Sequence, residues 1–135
     1  AYTARLVLGV SGTVAVAIAG TILFAPEAFY GSYGIPVGGN PTLTNELKAP
    51  AGTLLTAGLL MLAGVIRKRF MHISLITAAV IYLSYGLSRV LSMALDGMPD
   101  SGMVSAAAIE LVIGVICVMT LDQTRRRSGA HTALS

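Results

Sequence analysis

The sequence predicts an all-α integral membrane protein: one four-helix bundle, with the N and C termini on the cytoplasmic side. Three observations carry this. Of 135 residues, 55% are hydrophobic and only 11% charged, against about 25% charged in an ordinary soluble domain. The apolar residues gather in four long runs, each close to the ~20 residues that cross a ~30 Å hydrocarbon core. The basic residues sit in the gaps on one side of those runs. A chain of this length has room for a single domain, taken as residues 1–135.

The first span is expected over residues 6–25. Arg5 precedes it and small residues recur within it, as in a secretory leader, but the run is longer than a usual leader core. A long connection follows, Pro26 to Pro50, rich in Pro and Gly and aromatic in its first half at Phe29, Tyr30 and Tyr33. Such rings suit the membrane–water boundary, and a connection this long usually acts as a lid or binding loop. The second span is short unless its helix begins before Ala51, near Thr44. It is placed at 47–66, with Glu46 and Lys48 on its first turn and Thr42 or Thr44 as the cap.

Arg67, Lys68 and Arg69 end that run abruptly. The third span, 71–95, is the most polar, and Asp96-Gly-Met-Pro-Asp reads as a turn. The fourth, 103–121, is interrupted only by Glu110. Residues 123–135 read as a flexible polar tail. Topology then follows from charge. Arg5, the Arg67–Arg69 triplet and Arg125–Arg127 share one side; Glu27, Glu46, Asp96 and Asp100 share the other with a single Lys48. Lys/Arg excess marks cytoplasmic loops, so the basic side faces the cytoplasm. This also accounts for the +3 net charge without a nucleic-acid partner.

Two ionisable residues fall inside spans. Arg89 lies about six residues, ~9 Å, below the outer end of the third helix, and Glu110 about seven residues, ~10 Å, below that of the fourth. Either charge alone would cost ~2.5 kcal/mol or more in the bilayer, so a pair is expected. Glu46 and Asp96 are placed within approach of the same guanidinium. Tyr82, Tyr85 and Arg89 recur at three- and four-residue spacing and share a helix face. Ala106, Glu110 and Gly114 do the same on the fourth helix, and Ser11, Ala15 and Ala19 make a small-residue stripe on the first. This cluster is either a clamp that sets helix register or an outward-facing ligand pocket. The lone Cys117 has no partner for a disulfide, and His72 and His131 stand outside metal-ligand spacing. No catalytic set, metal site or cofactor motif is read from the chain.

One set of residues carries a resemblance. Pro26-Glu-Ala-Phe-Tyr-Gly31, Asn45-Glu-Leu-Lys-Ala-Pro-Ala-Gly52, Tyr82-Leu-Ser-Tyr-Gly-Leu-Ser-Arg89, Asp96-Gly-Met-Pro99 and Glu110 resemble a "domain of unknown function" family of small bacterial four-helix membrane proteins. That family is broadly similar to DoxX-like proteins. The resemblance covers about Leu6 to Leu121. It implies the four-helix fold, a multi-pass place in the bacterial inner membrane and a polar cluster near the outer face, but no activity. The function expected first is a non-catalytic accessory subunit, packed on a membrane-protein partner or on copies of itself. The alternative is a carrier for a quinone or lipid anchored at Arg89. An enzyme using Glu46 or Glu110 as proton donor is the least supported reading.

Overall fold

A computed structural model describes residues 2–134, and all of the regular structure in them is helical. Helix α1 spans Tyr2–Phe24, α2 Pro26–Gly31, α3 Pro41–Ile66, α4 Met71–Asp96 and α5 Ser101–Ala133, with a single 3₁₀ turn at Lys68–Phe70. Of these, α1, α3, α4 (with the 3₁₀ turn) and α5 are long and apolar enough to cross a membrane. Their outward side chains fit that medium. Leu6, Leu59, Ile73, Leu87, Leu91 and Val112 are all more than half exposed, an apolar exterior that water would penalise and acyl chains would not.

The helix ends follow from local chemistry. Pro41 opens α3 at its first turn, where its missing N–H costs nothing. Asn40 caps it, its side-chain oxygen accepting from Leu43 N at 3.1 Å. The helix therefore begins earlier than Thr44, and neither Thr42 nor Thr44 is its cap. Pro50 lies inside α3 and leaves the Glu46 carbonyl without its helical donor. Gly97, at φ 98°, stops α4. Asp100 starts α5 by accepting from Gly102 N at 2.8 Å.

Residues 123–133, part of the expected flexible tail 123–135, instead continue α5 without a break; Ser135 lies outside the described residues. Gln123 and Arg125–Arg127 are good helix formers. Asp122 pairs with Arg126 one turn on at 3.0 Å, and Thr124 Oγ1 bonds back to Thr120 O.

The four long helices form two close antiparallel pairs. In one, α1 meets α3 at Gly12 and Gly58; a Cβ on Gly58 would stand 2.9 Å from Val16 Cγ2. In the other, α4 meets α5 at Gly86 and Gly114; a Cβ on Gly114 would stand 2.6 Å from Leu83 Cδ2. The pairs join through the short α3–α4 turn and, beyond it, through Ser74 Oγ of α4, which donates to Leu60 O of α3 at 2.7 Å. The helix ends carrying Arg5, Arg67–Arg69 and Arg125–Arg127 form a basic end; those near Glu27, Glu46, Asp96 and Asp100 form an acidic end. Among the fully enclosed side chains, Leu8, Met61, Leu75 and Cys117 lie toward the basic end. Toward the acidic end the pairs part.

Candidate functional site

The parting leaves a cavity of about 460 Å³, walled by α1, α3, α4 and α5 and covered by α2 and the turn after it. Its floor is Tyr82. That ring is buried, and its hydroxyl crosses between the helix pairs to donate to the Ser11 carbonyl. Beneath it Ser11 Oγ meets Cys117 Sγ at 3.8 Å, so α1, α4 and α5 are stitched just below the opening.

Arg89 and Glu110 meet as their matched depth predicts. Arg89 Nε donates to Glu110 Oε2 at 2.9 Å and to Oε1 at 3.1 Å. Both residues line the cavity. Their side chains are 33% and 14% exposed, so the pair is sheltered without being sealed. One nitrogen of the guanidinium carries the whole interaction. Neither terminal nitrogen donates a hydrogen bond to a described residue. The Tyr85 hydroxyl, also on the cavity wall, makes none either. Arg89 therefore balances its charge on Glu110 and keeps donors unspent.

Glu46 and Asp96 are not brought to this cluster. Glu46 is exposed on the second turn of α3 and forms no ion pair with a described residue. Asp96 stands seven residues beyond Arg89 on the same helix, a rise of ~10 Å, and accepts from the nearer Ser92 hydroxyl at 3.1 Å. The expected cluster of Arg89, Glu110, Glu46, Tyr82, Tyr85 and Asp96 thus reduces to Arg89, Glu110, Tyr82 and Tyr85.

The cover comes from the aromatic segment. Phe29 packs edge-on against Tyr30 and Tyr33, at 5.0 and 5.5 Å between ring centres. The Tyr33 ring rests on the first turn of α5, where Gly102 has no side chain to obstruct it; a Cβ there would lie 2.6 Å from Tyr33 Cε1. Burial raises the Tyr30 phenol above its ordinary pKa; the nearby Tyr85 adds to this and Arg89 opposes it. The lid expected from the Pro26–Pro50 segment is therefore its first third alone, since α3 takes the remainder from Pro41 onward.

The side wall is apolar. Ile18 of α1 and Ile109 of α5 line the cavity and are also 36% and 54% exposed on the bundle surface. The cavity wall at these two residues is therefore also part of the outer surface of the bundle. Ala106, Leu54 and Ile81 complete the interior. These residues carry no chemical signature in the sequence; only the packing of two helix pairs brings them to one space. Among the described residues no three His, Cys, Asp or Glu converge as a metal site.

A family model described as Domain of unknown function (DUF4345) matches residues 3–121. No curated protein and no solved structure matches the chain.

Proposed function

The chain belongs to the DUF4345 family of unknown function, and on the geometry of its cavity we propose that it binds a small neutral lipophile bearing a carbonyl acceptor. The observation that carries this reading is the state of Arg89. Its charge is balanced through Nε, while its terminal N–H groups have no acceptor among the described residues, and the side chain lines a largely apolar cavity. These nitrogens are not fully buried, so they are open to a ligand; at this depth in a bilayer water is a scarce acceptor, and a ligand carbonyl would supply one. Neutrality follows from charge. Arg89 and Glu110 sum to zero, so an anionic head would leave one uncompensated charge within the membrane.

The cavity volume lies in the usual range for small-molecule sites. Its aromatic walls at Tyr85, Tyr30 and Phe29 suit a planar ring, which favours a quinone over a fatty acid. Ile18 and Ile109 would admit the ligand from the bilayer side. The basic end is assigned to the cytoplasm by its Lys/Arg excess, so the cavity opens in the outer half of the membrane. The accessory-subunit reading has no comparable support, because an apolar exterior suits lipid and protein partner alike.

Titration of the purified chain with a short-tailed naphthoquinone and with palmitate separates the ligand classes. Saturable binding of the quinone, lost in Ala106→Phe, supports the reading, since that change fills the cavity and leaves the ion pair in place. Equal binding by wild type and Ala106→Phe would remove the cavity from the account.

A further inference from the structure

At the basic end a second concavity opens, on the far side of the packed core from the first. It has a volume of about 200 Å³ and lies between the start of α1, the 3₁₀ turn, the start of α4 and the last third of α5. Ala4, Met71 and Thr120 form a buried floor. Lys68 and Arg127 stand at the rim with Thr3, Gln123 and Ser128. We propose that this is a binding site for the phosphate of an anionic membrane lipid.

Charge is the first argument. This end carries Arg5, Arg67, Lys68, Arg69, Arg125, Arg126 and Arg127 against Asp122 alone, and Asp122 is taken by Arg126. Neither Lys68 nor Arg127 has an ion-pair partner among the described residues, and no carboxylate lines the concavity. Two cations from separate elements facing one space repel each other until an anion sits between them. Donors are the second argument. The Lys68 ammonium, the Arg127 guanidinium, the Gln123 amide and the Thr3 and Ser128 hydroxyls form a donor-rich rim. A phosphodiester offers the complementary acceptor oxygens.

Position is the third. The site lies at the end of the spans, at headgroup level, where basic pockets between helices take up anionic headgroups. Its floor of Ala4, Met71 and Thr120, whose hydroxyl is spent on the Ile116 carbonyl, suits the glycerol and first methylenes behind a phosphate. Helicity beyond Leu121 is what makes the site. Arg127 is six residues past the apolar run, and only a continuous α5 holds it opposite Lys68.

The test uses the full chain in mixed micelles of phosphatidylglycerol and phosphatidylcholine, with retained lipid read by native mass spectrometry. Wild type is expected to retain phosphatidylglycerol preferentially. Lys68→Gln with Arg127→Gln should lower that preference about tenfold or more. Ser128→Leu, which fills the concavity and keeps every charge, should lower it as well. Arg5→Gln with Arg125→Gln removes the same formal charge outside the concavity, keeps the Asp122–Arg126 pair, and should leave the preference largely intact. If that double variant lowers it equally, attraction is diffuse and the site is refuted. If millimolar inorganic phosphate displaces the lipid completely, the site takes soluble phosphate and the lipid assignment falls.

Discussion

Arg89 lines the cavity, spends one nitrogen on Glu110 and leaves the other two without an acceptor among the described residues. Arg89→Leu should therefore destabilise the bundle by leaving Glu110 uncompensated, on the order of 1–3 kcal/mol once lipid and partial exposure soften the soluble-protein value. Adding Glu110→Leu should recover at least part of this, read as a double-mutant cycle in denaturing detergent; additive losses would mean the pair does not interact. A second residue-scale test concerns close packing. Gly64 has no room for a methyl group, because a Cβ there would stand 2.5 Å from Ser74 Oγ and 3.0 Å from Leu8 Cδ1. Gly64→Ala should cost about 1–3 kcal/mol in the same assay, whereas Gly20→Ala, with nothing within 4 Å, should be neutral or stabilising. The ion pair was legible in the sequence because charges inside apolar runs are rare and these two match in depth. The roles of Glu46 and Asp96 were not legible. Depth alone places them near the acidic end, and only the helix register and the competing Ser92 hydroxyl show that neither reaches Arg89.

Elements were legible wherever charge bounds an apolar run and obscure wherever polar residues stay helical. The basic triplet Arg67–Arg69 marks the α3–α4 turn correctly. The Pro- and Gly-rich stretch hid the start of α3, since Pro41 after a capping Asn40 opens a helix as readily as it marks a loop. Polarity beyond Leu121 suggested a flexible tail, yet solvated Gln and Arg residues favour helix and the Asp122–Arg126 pair adds to it. Amide hydrogen exchange should show protection continuing past Leu121 to about Ser128, fading after Gly129. Gly129→Ala should extend it, because Gly is about 1 kcal/mol poorer than Ala inside a helix. Immediate exchange from Gln123 onward would contradict the continuous α5 and, with it, the placing of Arg127.

Two helix pairs, each closed by glycine contacts, are fastened at the basic end and part at the acidic end. The count of spans was visible in the hydropathy, but the parting was not. It depends on which small residues meet, and Ser11, Ala15 and Ala19 read only as a stripe until Tyr82 reached across to Ser11. Orientation can be tested with single cysteines at Gly39 and at Ser128 in a Cys117→Ala background. They should label from opposite faces of the membrane, Ser128 from the cytoplasmic face; labelling of both from one face would require an odd number of spans. The central claim is that Arg89 holds donors in reserve for a ligand. Nitrogen-15 NMR of the Arg89 side chain in lipid nanodiscs tests it most directly. Adding the naphthoquinone should shift the two terminal nitrogens, while Nε, held by Glu110, changes little, and Ala106→Phe should abolish the response. Terminal nitrogens that stay unmoved at saturating quinone, or that respond equally in Ala106→Phe, would contradict it.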